Sequence, residues 1–356
     1  MKMERTVKAE EPLSTQMKRR VTANVERKSK PEYDGDFGKV ISTGSTLLDL
    51  AISGGRVHGG GLPGGIFVEA FGPTGSGKTV LLSEIAGAVQ RQGGDVLFHD
   101  PEARLNKQFA QMFGLKIKDE NYKKPATVPE VFKAVRAWEP EGKSKVVHGI
   151  FADSLAALST ATEMDNEDGD KMGMRRAKEF SQELRQTCRL ITEKNYLMVC
   201  SNQVRINVDA GQYGQKYTTP GGESVGFYAS LRLRFNRAEK IKLKKRIAGK
   251  EESRVIGVEA CIEVFKSSIW KPFHTAPVTI LFSYGIDSIR DELQFIKDHT
   301  KNTTYCVSNI SLSNSIEEAI KIVETDKLET TLKEEVINLW EHIESQFEQE
   351  RKPKRP

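Results

Sequence analysis

The chain has 356 residues, enough for one large α/β domain with smaller appendages at the usual ~100–200 residues per domain. Hydrophobic residues make up 38% and charged residues 29%, which fits a soluble protein and implies no disordered chain, and no apolar run approaches the ~18 residues of a membrane span. A net charge of +5 is too modest to establish nucleic-acid binding by itself, so a basic surface must be sought in local clusters.

Residues 1–38 are polar, end in KSKPEYDGD and carry no sustained apolar stripe; they read as a flexible N-terminal arm that can serve self-association. Their first stretch, MKMERTVKAEEPLSTQMKRR, holds no apolar signal core, so a cytoplasmic, nucleoid-associated location is expected. KVISTGSTLLDLA predicts a short strand and then a helix capped by Ser45 or Thr46, and GGRVHGGGLPGG reads as a hinge-like stretch. Strand-like and helical runs then alternate: IFVEAF, a helix after GPTGSGKT, DVLFHD, a helix over ARLNKQFAQMFG, a helix over PEVFKAVRAW, VVHGIFADS, a helix around KEFSQELRQTCRLITEK, and YLMVCSNQ. That order predicts a mainly parallel sheet with helical crossovers. SLRLRFNRAEKIKLK and SRVIGVEACIEVFKSS predict an antiparallel extension, with a hairpin at KIKLKKRIAGK that is either a DNA-binding patch or a solvated basic turn.

The core is therefore expected over residues 39–290, a small α/β C-terminal domain over 291–348, and a basic tail over 349–356. In the small domain Trp340, Ile343 and Phe347 share a helical face and are expected to pack. Cys188, Cys200, Cys261 and Cys306 are widely separated, without a C-x-x-C pair, and read as free thiols.

The chemistry concentrates in GPTGSGKT. Gly72, Gly77, Lys78 and Thr79 match G-x-x-x-x-G-K-[ST] between a strand and a helix, as a phosphate loop requires. Glycines let successive N–H groups converge on a polyphosphate, Lys78 reaches its terminal phosphates, and Thr79 can ligate Mg²⁺. Asp153, ending an apolar strand about seventy residues on, suits a metal-holding acid beside that loop. Glu102 can orient or deprotonate a water, while Asp100 suits a helix cap. Asn202 and Gln203 end another strand, where an amide can bond a γ-phosphate or merely cap the loop.

Seven segments in one order, ISTGSTLLDLAI, GGLPGG, GPTGSGKT, FHDPEARL, IFADSLAAL, SNQVR and TTPGGESVGFYAS, strongly resemble the bacterial RecA recombinases and their phage-encoded relatives, from about Lys39 to Asp287. The resemblance implies an α/β RecA-type P-loop ATPase core that uses ATP and Mg²⁺. It places ATP on Gly72, Pro73, Thr74, Gly75, Ser76, Gly77, Lys78, Thr79, Val80 and Asp153, with Thr79 and Asp153 on the metal, Glu102 activating water and Gln203 sensing the γ-phosphate. Phe109 falls where the family stacks an aromatic on adenine, and that role is expected of it over the alternative, a buried helical phenylalanine. Lys266 matches one of two lysines that complete a neighbour's ATP site, and Ser268 stands at the other.

Two DNA loops are implied, after Ala157 and after Gln203, with Met172, Gly173, Arg175, Arg176, Arg205, Val208, Thr219, Gly221 and Gly222 as contacts. Val208 would separate base triplets. The implied partners are single-stranded DNA, homologous double-stranded DNA and further copies of the chain in a helical filament, with no membrane. The implied activity is ATP-dependent strand exchange; an accessory RecA-like ATPase and a ring-forming motor are the rival readings.

Overall fold

The computed structural model describes residues 39–141, 146–160, 172–206, 217–236, 238–308 and 310–348. The N-terminal arm, the acidic turn at 161–171, Val208 and the basic tail lie outside the described residues. Two compact units result, one over Phe37–Glu292 and a smaller one whose described part begins at Leu293.

In chain order the larger unit holds β1 (Val40–Ile41), α1 (Thr46–Ser53), β2 (Leu62–Pro63), β3 (Ile66–Gly72), α2 (Lys78–Arg91), β4 (Val96–His99), α3 (Lys107–Met112) and β5 (Tyr122–Lys123). It continues with α4 (Val128–Ala137), β6 (His148–Ala152), α5 (Met172–Glu193), β7 (Tyr196–Gln203), β8 (Arg205–Ile206), β9 (Tyr217–Thr218) and α6 (Gly222–Tyr228). Then come β10 (Leu231–Phe235), β11 (Glu239–Ile247), β12 (Lys250–Ser267), β13 (Thr275–Leu281), β14 (Gly285–Ile286) and α7 (Ser288–His299), which runs across the division. The smaller unit adds β15 (Tyr305–Val307), β16 (Ile310–Ser313), α8 (Ile316–Thr325) and α9 (Glu329–Gln346).

One ten-stranded sheet runs β14-β13-β12-β10-β3-β7-β6-β4-β5, with β11 added to β12. From β10 to β5 every pairing is parallel; β10–β12, β11–β12, β12–β13 and β13–β14 are antiparallel. Continuous apolar runs such as IFVEAF and YLMV suit central parallel strands covered on both faces. One face carries α4 and α5: Val128, Val131, Phe132 and Val135 recur at helical spacing, as do Phe180, Leu184 and Ile191, and they close over Phe67, Ile150 and Met198. Truncating Phe132 to alanine there would cost about 3–5 kcal/mol. Alternation turns Val68, Ala70 and Val199 to the other face, where α2 packs on β3, β4, β6 and β7.

Local expectations fare unevenly. Ser45, not Thr46, caps α1, accepting from Leu48 N–H. The expected hinge at GGRVHGGGLPGG is instead tied down: Gly61 N–H donates to Asp49 C=O, Ser53 Oγ donates to Gly61 C=O, and β2 pairs with β1. Glycine there serves close approach, since a Cβ on Gly60 would sit 1.9 Å from Asp49 O. The helix expected over ARLNKQFAQMFG shortens to α3, because Asp100 holds the preceding turn through Leu105 N–H. The loop expected after Ala157 is also shorter, since Met172–Met174 already belong to α5; a single glycine among good helix formers does not stop the helix. In the small unit Trp340 is buried, but Phe347 lies past the end of α9 and is 76% exposed, so it does not pack as its spacing suggested. All four cysteines are free, and burial pushes the Cys188 thiol up to about 11. Among the described residues no helix is long and apolar enough to cross a membrane.

Candidate nucleotide site

The parallel register decides which side chains meet. Gly72 is level with Gln203 across β3 and β7, and β6 ends one residue before Asp153, so the carboxyl ends of β3, β4, β6 and β7 open on one crevice. That edge is where ligands bind in open α/β sheets. β3 leads through Pro73, Thr74, Gly75 and Ser76 to Gly77, which precedes α2 at φ 96°, a backbone region that favours glycine. A Cβ on Gly77 would also stand 2.2 Å from Ile280 Cδ1.

Lys78 is the first residue of α2 and largely buried, and its Nζ donates to the carbonyls of Gly72 (3.0 Å) and Pro73 (2.7 Å). Burial lowers the proton affinity of this ammonium, while the nearby carboxylates of Asp153 and Glu102 oppose that shift. Ser76 Oγ closes the loop on Pro73 C=O at 2.8 Å. Thr79 Oγ1 donates to Asp153 Oδ2 at 2.6 Å, and Ser201 Oγ donates to the other oxygen of the same carboxylate. Val80 is buried in the helix behind them.

Glu102 follows β4. Its Oε1 lies 3.4 Å from Ser154 Oγ and 3.5 Å from Gln203 Nε2, and its Oε2 is 2.8 Å from the largely exposed Arg104 guanidinium. The chain thus brings Lys78, Thr79, Asp153, Glu102 and Gln203 together. Asp100 stands apart: its Oδ2 takes the Tyr122 hydroxyl and the Leu105 N–H, so it fastens a turn.

Of the adjacent amides only Gln203 faces the crevice. Asn202 is fully buried, its Nδ2 donating to Glu69 Oε1 (2.8 Å) and Pro220 C=O (3.0 Å) while its Oδ1 accepts from Gln203 N–H. Ser154, Ser201 and Glu69 escaped the sequence reading; for Ser201 the available signal was its place two residues before Gln203 on the same strand.

Thr79 hydroxyl and Asp153 carboxylate are hard oxygen donors that suit Mg²⁺, which characteristically takes one or two carboxylates and completes its shell with phosphate and water. Among the described residues no group of three His, Cys, Asp or Glu could hold a metal ion. Phe109 falls within α3, and its side chain lies outside the described residues.

Lys266 is engaged elsewhere: its Nζ donates to Gly226 C=O (2.9 Å) and Phe227 C=O (2.8 Å), while Ser268 Oγ donates to Ser230 C=O at 3.0 Å. Lys271 lies over the Trp270 ring, 5.2 Å from its centroid. Of the loop residues, Met172, Gly173, Arg175 and Arg176 sit in the opening turns of α5, with Arg175 exposed. Arg205 begins β8, which pairs with β9, so regular structure brackets the second loop where none was expected. Thr219 C=O accepts from Gly222 N–H, and Gly221 caps α6 at φ 93°.

A strand–phosphate loop–helix unit, with an acid, a carboxylate and an amide on the neighbouring strand ends, defines a P-loop nucleotide-binding protein with a RecA-type α/β core. The model of the RecA N-terminal domain matches residues 32–287. The chain is 34% identical over 248 residues to Protein RecA of Delftia acidovorans, a stretch covering 70% of this chain and 63% of that protein. It is 36% identical over 253 residues to Protein RecA of Thermus thermophilus, covering 71% of this chain and 69% of that one. The chain belongs to the RecA family.

Proposed function

We propose that the protein is a DNA-dependent ATPase whose ATP-bound filament coats single-stranded DNA and promotes homologous pairing and strand exchange in recombination and repair. The observation that carries this reading is the convergence of Lys78, Thr79, Asp153, Glu102 and Gln203 at adjoining strand ends in a chain of the RecA family. The loop amides and Lys78 hold the polyphosphate of ATP, and Thr79 with Asp153 would hold Mg²⁺, which would supply charge neutralisation for phosphoryl transfer. Glu102 accepts a proton from the attacking water as the water oxygen bonds to the γ-phosphorus and the bridging β–γ oxygen leaves with ADP. Gln203 bonds the γ-phosphate and so distinguishes ATP from ADP.

Lys266 serves the ATP site of a neighbouring copy, which links filament assembly to nucleotide state. DNA meets Arg175, Arg176, Arg205, Thr219, Gly221 and Gly222, with Met172, Gly173 and Val208 beside them. The hairpin of β11 and β12 adds a basic surface: Lys242, Lys244 and Arg246 alternate onto one face of a ribbon that β13 does not cover. A second reading, an accessory RecA-like ATPase without strand exchange, draws on Ser268, which places no charge at the second lysine position and bonds its own chain.

Strand exchange between a single strand and its homologous duplex, measured with wild type and Lys78→Ala, tests the reading. Product with wild type alone is expected. ATP hydrolysis without any exchanged product would favour the accessory reading.

A further inference from the structure

Glu69 sits in the middle of β3, three residues before Gly72, and is fully buried. A carboxylate so far from water must be compensated in place. Arg232 Nε donates to its Oε2 at 2.6 Å, and Asn202 Nδ2 donates to its Oε1 at 2.8 Å.

Sheet register explains the meeting and carries it further. Glu69 is level with Cys200 on β7 and Arg232 on β10, so Asn202, two residues beyond Cys200, lies on the same face. Arg232 is in turn level with Lys266 on β12. One polar row therefore crosses four strands: Asn202, Glu69, Arg232, Lys266. The Arg232 guanidinium lies over Phe71, 4.4 Å from its centroid, with Phe265 at 5.5 Å, which holds it in the row.

Both ends of the row touch groups with assigned roles. Asn202 Oδ1 accepts from Gln203 N–H, and Asn202 Nδ2 also grips Pro220 C=O just before α6. At the other end a Cβ on Gly226 would lie 2.8 Å from Arg232 Nη1, and the Gly226 carbonyl accepts Lys266 Nζ. Two cations, Arg232 and Lys266, are thus cross-strand neighbours, and only Glu69 offsets the first of them within the row; burial and Arg232 together lower the proton affinity of Lys266. Loss of the Glu69 charge would leave Arg232 to repel Lys266.

We propose that Glu69 and Arg232 are positioning residues that couple Gln203 to α6 and Lys266, so that occupation of the γ-phosphate seat alters the setting of the lysine facing the neighbouring copy. This coupling rests on the roles proposed above for Gln203 and Lys266.

The test compares wild type, Glu69→Gln and the double variant Glu69→Gln/Arg232→Gln, whose neutral pair avoids an uncompensated buried arginine should the single variant fail to fold. Glu263→Gln is the control, because Glu263 on β12 pairs with Arg234, two residues along β10 from Arg232, and makes no hydrogen bond or ion pair with Asn202 or α6 among the described residues. Two readouts are taken: Lys266 acylation by an amine-reactive ester, followed by mass spectrometry with and without a non-hydrolysable ATP analogue, and ATP turnover with and without single-stranded DNA. The variants are expected to bind the analogue within about threefold of wild type, to lose the nucleotide-dependent change in Lys266 labelling, and to lose about tenfold of the DNA stimulation. Glu263→Gln should retain both responses. A full Lys266 response and full DNA stimulation in the double variant would overturn the coupling. Failure of wild type to bind the analogue would overturn the nucleotide reading and the coupling with it, and appears in the wild-type arm alone.

Discussion

Around the phosphate loop nearly every polar side chain is held by a second protein group, whereas along the β11–β12 hairpin the cations stand in solvent. Asp153 is gripped by Thr79 and Ser201, Lys78 by two carbonyls, and Asn202 by three partners. On the hairpin, Lys244 pairs with Glu251 and Arg254 with Glu252, while Lys240, Lys242, Lys245, Arg246 and Lys250 make no ion pair among the described residues. The strands Lys250–Val255 and Lys242–Ile247 pair only with each other and run about 20 Å past the sheet. The difference sets side chains fixed in place, as chemistry requires, against exposed charge of the kind the DNA contact proposed above would use.

The largest break in this comparison is Lys78→Ala, which should lower ATP turnover by about a thousandfold and abolish ATP-dependent filaments, as seen by a phosphate-release assay and electron microscopy. Glu102→Gln separates binding from chemistry: ATP affinity should persist while hydrolysis slows by about a hundredfold or more. Equal turnover in wild type and Glu102→Gln would remove Glu102 from its role.

Lys266→Ala comes next. Its contacts in this chain are two α6 carbonyls, so a purely structural role predicts a modest fall in stability and no change in turnover. A role across the filament predicts that turnover falls by about a hundredfold, and that mixtures of wild type and variant hydrolyse less ATP than the sum of their parts.

Much of this difference was open to inspection in the sequence because the phosphate loop is local: eight consecutive residues between a strand and a helix state their own geometry. Asp153 and Gln203 were legible as strand ends. What decides between Asn202 and Gln203 was not, since it depends on Glu69, 133 positions earlier, and on the register that brings β3 beside β7. The hinge expected at GGRVHGGGLPGG failed for a similar reason, because glycine marks close packing on Asp49 as readily as freedom. Spacing alone also overstated Phe347, which falls one residue past the last turn of α9.

The hairpin is tested by Lys242→Ala/Lys244→Ala/Arg246→Ala. If its face meets phosphates, single-strand affinity should weaken and the slope of log K against log salt should drop by about 2–3, with ATP affinity unchanged. An unchanged slope would return the hairpin to a solvated basic turn.

The smallest effect concerns acid, and it belongs to the nucleotide unit's core rather than to the hairpin. His99 is fully buried at the end of β4, and among the described residues neither ring nitrogen has a hydrogen-bond partner. Burial, helped by the Lys123 charge, lowers its pKa to about 4 from 6.5. Between those values the unfolded chain binds the proton more readily, so stability is fully present above about pH 6.5 and is lost as pH falls towards 4. At pH 5 the loss from this group should reach about 2 kcal/mol relative to neutral pH. His99→Leu should therefore flatten the change in denaturant midpoint between pH 7 and pH 5. A wild-type fall of the same size in His99→Leu would trace the acid sensitivity to other groups and leave His99 as a tolerated core residue.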